Sequence, residues 1–418
     1  MICLLAGSCL LPAFMSTASA RHKAEANSVT AVNIDRTIAA KNKPIAAAGA
    51  SAAITTAADT ASTAVRDSGT QTMRMWNVES KDTGGTLLFS DSPEYVPTSG
   101  ILYQDKVQGD ARVLYYHLNN TDQPMKVAVV LTNDGSKYTF VHVTRGGVSH
   151  PSNDYLHVGK NTQIEYFETK LDDTIVVAEG ERRVLNHEMD EVTLQPGQLV
   201  YGVFDFHADA PVKASVLMYP ADQDPTEFIQ QARVLPKDAQ RLRGTFTGMN
   251  RIISSKEAYD PKADGIVYIP LVDNASDRFR TGIDATDGSL VTNAGNYGVL
   301  YRIEIPTVGY YGTQYYLSPL GGTYAGAMTV SVGASKPDLM LTPDTRTYFG
   351  DQTVIAPQPA PNTELITSNT ELSYLGSYSN TKQVTFEYSP PGASNLPVNL
   401  ILMPDLTHQT LAPNAKRR

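Results

Sequence analysis

The densest run of side chains suited to recognition is aromatic. Tyr297, Tyr301, Tyr310, Tyr311, Tyr315, Tyr316 and Tyr324 fall within 28 residues, interleaved with Gly295, Gly298, Gly309, Gly312, Gly321 and Gly322. Tyrosine offers flat apolar area and a hydroxyl at low entropy cost. Glycine lets a ligand approach the backbone closely. The pattern is a candidate ridge for a sugar or peptide. The competing reading is packing on a sheet face. In a strand over Gln314–Leu317, Tyr315 and Tyr316 point to opposite faces, so at most one joins a given ridge.

Oxygen ligands concentrate in Asp273-Asn274-Ala275-Ser276-Asp277 and Asp284-Ala285-Thr286-Asp287-Gly288. Calcium takes about six to eight oxygens, often from one loop, which makes Asp273, Asp277, Asp284 and Asp287 calcium candidates. The EF-hand order is not met, and Asx-turns at loop tips explain the same composition. Carboxylate pairs suited to glycoside hydrolysis are Asp172 with Asp173 and Asp205 with Asp209, provided they face one cleft. Of the eight histidines, His117, His142, His150, His157, His187 and His207 cluster in one third of the chain, with His22 and His408 outside it. His142 and His150 flank Gly146-Gly147, and His117 and His142 fall on neighbouring expected strands, so a three-histidine metal site is conceivable. No ligand spacing recurs, which favours hydrogen-bonded or sheet-surface histidines, and no metal is assigned. Gly-x-Ser-x-Gly is absent, and Gly321-Gly322 lacks the setting and the lysine of a phosphate loop.

A chain of 418 residues with 41% hydrophobic content can bury real cores, which excludes global disorder. Lys plus Arg is 34 against 43 Asp plus Glu, a net charge of −9 that argues against a broad nucleic-acid surface. Residues 1–20 carry no charged side chain, run apolar from Ile2 to about Met15 and end in Ala18-Ser19-Ala20 before Arg21. That is the layout of a secretory signal peptide, although its usual positive start is missing. Cys3 and Cys9 both lie inside it, so a chain matured at Arg21 has no disulfide and no thiolate. Lipidation of Cys9 is the alternative; the short segment before it and the apolar run after it argue against that. Past this segment nothing is apolar for long enough to span a bilayer. Residues 21–74 are rich in Ala and Thr and hold no aromatic residue, which predicts a disordered tether.

From Met75 onward, short strand signals recur without helical periods. They include Ala111–Leu118, Met125–Thr132 and Lys137–Val143, with Asn133-Asp134-Gly135 as a hairpin signal. Gln163–Phe167, Thr174–Val177, Val184–Leu185, Gln198–Phe206 and Val212–Met218 follow, the last two separated by Asp209-Ala210-Pro211. A short helix is expected within Thr226–Arg233, capped by Asp224 or Thr226. A second series runs from Arg243 through Gly265–Leu271, Val299–Ile305, Gln314–Leu317, Ala327–Val332, Asp338–Leu341 and Gln383–Tyr388 to Val398–Met403. The expected fold is all-β: two tandem antiparallel β-sandwich domains, 75–236 and 237–410, and a tail at 411–418. Val113-Leu114-Tyr115 and Val299-Leu300-Tyr301 echo each other between the two series.

The phrases Pro196-Gly197-Gln198-Leu199-Val200-Tyr201-Gly202, Leu242-Arg243-Gly244-Thr245-Phe246-Thr247-Gly248-Met249, Thr281-Gly282-Ile283-Asp284-Ala285-Thr286-Asp287-Gly288 and Asn296-Tyr297-Gly298-Val299-Leu300-Tyr301 carry a resemblance over roughly residues 85–405. Together they resemble a β-rich segment of bacterial extracellular proteins named copper amine oxidase-like. The resemblance implies an envelope-associated protein and no oxidase. In Thr292-Asn293-Ala294-Gly295-Asn296-Tyr297-Gly298 the threonine stands one place too far upstream for the quinone-forming motif, Gly298 replaces its acid, and no His-x-His occurs. The expected function is a secreted or cell-envelope-associated, non-catalytic structural or binding protein. Its partner would be a cell-wall polymer or an envelope protein, with no cofactor beyond the calcium candidates. The alternatives are an extracellular glycan-acting hydrolase using Asp172, Asp173, Asp205 or Asp209, and a metal-dependent β-module using the histidines.

Overall fold

The two longest strands, Gly100–Asn119 and Leu199–Pro220, pair antiparallel from Leu199 opposite Leu118 to Met218 opposite Gly100 in the computed structural model. It describes residues 71–320, 322–343, 348–350, 363–366 and 372–409, all within the unit Ser51–Arg418. The expected break at Asp209-Ala210-Pro211 is real, but it is a bulge inside one strand rather than a turn between two. Pro211 has no N–H to donate, so the ladder skips these residues and resumes at Val212.

At the bulge the second long strand changes its other neighbour. Residues 213–220 pair with Met125–Thr132, and residues 202–208 pair with Thr139–Val148. The expected hairpin around Asn133-Asp134-Gly135 is therefore a link between two strands lying end to end along a third. Asn133 organises that link, donating to the carbonyls of Lys137 and Val177 and accepting from Gly135 N.

On its other edge the same sheet continues through Thr86–Ser90, which runs parallel to Gly100–Asn119, to Arg243–Thr247, Arg280–Asp284 and Ser289–Asn293. Two six-stranded sheets complete the framework. One takes the order Thr363–Ile366, Gln71–Met75, Val267–Leu271, Val398–Gln409, Tyr311–Pro319, Ser373–Tyr378. The other takes Glu79–Thr83, Asn250–Ser254, Leu300–Glu304, Val384–Tyr388, Gly326–Val332, Asp338–Thr342. Alternation divides the cores. Leu114, Tyr116, Tyr201 and Val203 of the large sheet join Leu400 and Leu402 of one small sheet and Ile303 and Phe386 of the other. Val113, Tyr115, Val200 and Phe204, pointing the opposite way, belong to a second core.

The described chain is thus mostly β, as expected, and several details change. Several pairs are parallel, among them Gln71–Met75 with Val267–Leu271 and Asn250–Ser254 with Leu300–Glu304. Residue 236 does not separate the sheets, because Thr86–Ser90 pairs with Arg243–Thr247 and Glu79–Thr83 with Asn250–Ser254. Residues 71–74, expected in the tether, are strand. The signal peptide, residues 21–70 and the tail at 411–418 lie outside the described residues.

One strand expectation becomes a helix. Tyr155–Glu168 is helical, with Asp154 accepting from His157 N at its start. Its buried positions are Val158, Gly159, Thr162, Gln163 and Tyr166. The expected short helix is Pro225–Phe228, capped by Asp224 through Thr226 N and Glu227 N.

Candidate functional site

The seven tyrosines do not form one surface. Tyr301 and Tyr316 are 0% exposed, Tyr324 1% and Tyr315 2%. The strand Tyr311–Pro319 lies inside its sheet with both faces covered, so Tyr315 packs on Phe386 at 5.1 Å and Tyr316 on Tyr374 at 5.3 Å. Tyr297, half-buried, stacks on Phe89 at 6.4 Å. Tyr310 is exposed and meets Tyr311 edge-on at 5.6 Å. The glycine-tyrosine alternation reports core packing, not a ridge.

The calcium candidates are held by cations and N–H donors. Asp277 pairs with Arg251 and accepts from Tyr301 Oη and Val272 N, each at 2.7 Å. Asp284 pairs with Arg243 at 2.9 Å and accepts from Thr286. Asp287 meets Lys237 at 2.6 Å, which with the Ser289 contacts holds its carboxyl below the usual range. Asp273 accepts from the amides of Ala275, Ser276 and Asp277, an Asx-type turn. The hydrolase candidates take separate partners too. Asp205 forms a two-pronged pair with Arg112 at 2.6 and 2.8 Å, and Asp209 accepts from Phe140 N in the bulge. Asp172 stands 3.4 Å from His142, and Asp173 opens the strand Asp173–Val177.

His117 and His142 are not on neighbouring strands, because Leu199–Pro220 lies between theirs. His142 instead stands opposite His207, which contacts Asp110 at 2.7 Å. Sequence reasoning missed this pair because it needs the strand order. Among the described residues, no group of three or more His, Cys, Asp or Glu is placed to hold a metal. His117 is fully buried between Ser90 Oγ and the Pro93 carbonyl, each at 2.9 Å. A carbonyl only accepts, so Nδ1 carries the proton and Nε2 accepts from Ser90. Burial pushes this imidazole down to about 4. Ser90 is also 0% exposed, so this serine–histidine contact is a brace without access for a substrate.

The chemically distinctive place was not singled out from sequence. It is the segment Asp91–Glu94, leaving the strand Thr86–Ser90 beside His117. Asp91 Oδ1 is buried with no hydrogen-bond partner. Desolvation, then Glu94 and Asp238, raise its carboxyl well above the usual range. The same burial, helped by Asp238, lifts Glu94 to about 7. Asp238 stays committed to donors, accepting from Ser92 Oγ at 2.8 Å and from the amides of Glu94, Gln240 and Arg241. Tyr116, Tyr155 and Tyr297 lie within electrostatic reach of Glu94. The arrangement can keep a carboxylic acid protonated near neutral pH beside aromatic rings. A lone Asp-x-x-Glu carries no spacing signature, so only burial reveals it.

Comparison with known proteins adds little. No family model matches the chain, and no curated protein matches it. Solved structures similar to it include PNGF-II at 10% identity, covering 83% of this chain and 67% of that one with a TM-score of 0.16. Others are the 11S globulin of Wrightia tinctoria (8% identity, 79% and 84% covered, TM-score 0.11) and the 7S globulin of Momordica charantia (10%, 72% and 77%, 0.08). Similarity this slight supports no statement about fold or activity.

Proposed function

We propose that this chain is a secreted or cell-envelope-associated β-rich binding protein that performs no catalysis. Export rests on the leader pattern of residues 1–20, with the Ala/Thr-rich segment after it serving as a spacer. The envelope setting also follows the resemblance to extracellular β-rich proteins. One observation carries the non-catalytic reading: outside the Asp91–Glu94 segment, the buried arginines among the described residues are committed to carboxylates and backbone carbonyls. Arg112 binds Asp205 and donates to the carbonyls of Met249 and Gly298. Arg243 binds Asp284 and the carbonyls of Ser92, Leu102 and Leu235. Arg251 joins Asp82 and Asp277, and Arg280 shares Asp82. Groups tied this way brace a fold and are unavailable for turnover. The test incubates the chain from Arg21 to Arg418 with purified cell-wall polysaccharides and follows both co-sedimentation and reducing ends. Retention without new reducing ends is expected; release of sugars sinks the reading.

A second reading has one observation in its favour, the Asp91–Glu94 pair. A glycan-acting hydrolase needs one carboxyl that keeps its proton into the neutral range, and burial beside Asp238 pushes Glu94 up in that direction, to about 7. If sugars are released, Glu94→Gln and Asp91→Asn should each abolish the release.

A further inference from the structure

The link from Asn133 to Tyr138 spans the bulge at Asp209–Pro211, and between them lies a cavity of about 270 Å³. Its wall includes Lys106, Lys137 and Lys213 together with Asn133, Ser136 and Thr139. Lys106 and Lys213 stand directly opposite each other on the two long strands. Like charges in that position repel, and a sheet normally avoids them. One carboxylate, Asp134, offsets them loosely at 3.6 Å and 3.3 Å, and its side chain is 42% exposed. Lys106 and Lys213 against the single, part-exposed Asp134, with Lys137 also in the lining, make a local surplus of positive charge in a chain of net charge −9.

Beyond the cavity the same stretch of chain turns apolar and stays exposed. Tyr138 is 64% exposed and Phe140 47%, and Phe140 stands opposite Val176, which is 43% exposed. The shelf is anchored to the bulge, because Phe140 N donates to Asp209 at 2.9 Å. Asp209 is thereby engaged, and Asp105, immediately before Lys106 on the same strand, accepts from Lys106 N and Thr245 Oγ1. Aromatic faces beside amide, hydroxyl and ammonium groups match a polymer of sugar rings bearing negative charge.

We propose that the lysine-lined cavity and the Tyr138–Phe140–Val176 shelf together bind an acidic glycan, with Asp134 holding the place of its anionic group until the ligand displaces it. This rests on the binding role proposed above and names its site and ligand class.

Titration calorimetry tests it on the chain from Arg21, using oligogalacturonate, its neutral methyl ester and poly(glycerol phosphate), with circular dichroism to confirm each variant's fold. Oligogalacturonate should bind and the ester should bind about tenfold or more weakly, as expected when an ionic contribution of roughly 1.4 kcal/mol is removed. Lys106→Gln with Lys213→Gln should weaken binding similarly and flatten its salt dependence. Phe140→Ala should weaken binding and leave the salt dependence unchanged. Asp134→Asn should tighten binding. Poly(glycerol phosphate) binding without oligogalacturonate binding overturns the glycan assignment. Affinity unaffected by the lysine substitutions overturns this site and leaves the binding role standing. Asp134→Asn lowering stability with unchanged affinity reduces that residue to a brace and also overturns the proposal. New reducing ends overturn the binding role itself.

Discussion

Glu94 and His117 sit in one neighbourhood and respond to pH in opposite directions. Burial lifts Glu94 from 4.5 to about 7. Between those values the folded state holds a proton that the unfolded chain has released, so stability falls as pH rises through the window. Burial lowers His117 from 6.5 to about 4. Between these the unfolded chain holds the extra proton, so stability rises with pH. The two slopes partly cancel from about pH 4.5 to 6.5. Glu94→Gln removes the falling limb. Its stability, measured by denaturant titration, should match the parent near pH 4 and exceed it at pH 8 by up to about 3 kcal/mol, less what solvent screening of this partly exposed group removes. An equal gain at both pH values would mean that the glutamate's charge is not the cause. Arg112 shows the other side of burial. Arg112→Met strands Asp205, leaving it the Tyr166 hydroxyl as a neutral donor, and takes the guanidinium donor from the carbonyls of Met249 and Gly298. A loss of about 3–5 kcal/mol is expected in the same assay. Asp205 looked like a candidate acid from sequence because its guanidinium lies 93 residues away. Composition shows that both residues exist; only strand pairing shows that they neutralise each other.

Gln163–Phe167, expected as a strand, is the last part of the helix Tyr155–Glu168, whose docking face is barely apolar and so gives no helical stripe in the sequence. Helical spacing is present at 158, 159, 162, 163 and 166, but three of those positions are Gly159, Thr162 and Gln163. They serve backbone contact rather than hydrophobic burial. Thr162 Oγ1 donates to Tyr201 O, and Gln163 binds Ser389 O and accepts from Ala327 N. Gly159 lies so close to the Gly392 carbonyl that a Cβ would stand 2.0 Å from its oxygen. Two effects therefore compete in Gly159→Ala. Helix propensity favours alanine by about 1 kcal/mol. The overlap is with rigid backbone, and overpacking of this kind costs about 1–3 kcal/mol. The clash should win, and the thermal midpoint should fall; an increase would mean that the helix can back away freely. The strands were far more readable. Met125–Thr132 appears with the bounds its apolar run suggests, because a strand buried on both faces announces itself by composition alone.

Topology decides the behaviour of the whole molecule, and strand pairing crosses the boundary that sequence spacing suggests. Two series of strand signals around a Pro-containing gap read as two domains, yet the gap at 236 is bridged on both sides by shared sheets. Local patterns reveal where strands are, not which strands they meet, and pairing at this sequence distance leaves no periodic trace. The consequence is testable by cutting there. A fragment of residues 75–236 keeps the long strand pair but loses Arg243–Thr247, the partner of Thr86–Ser90. It also exposes Leu114, Tyr116, Leu118, Tyr201 and Val203, which face the core shared with the later strands. Uncovering large side chains costs about 1.5–3 kcal/mol each, so five cost about as much as the whole net stability of a typical domain. The buried Arg112 simultaneously loses the Met249 and Gly298 carbonyls. The fragment should aggregate or show a poorly dispersed proton–nitrogen NMR spectrum, while the chain from Gln71 to Gln409 melts in one transition. A dispersed spectrum and an independent cooperative melt for 75–236 would restore the two-domain division, and would mean that the shared strands are a docked edge rather than part of one fold.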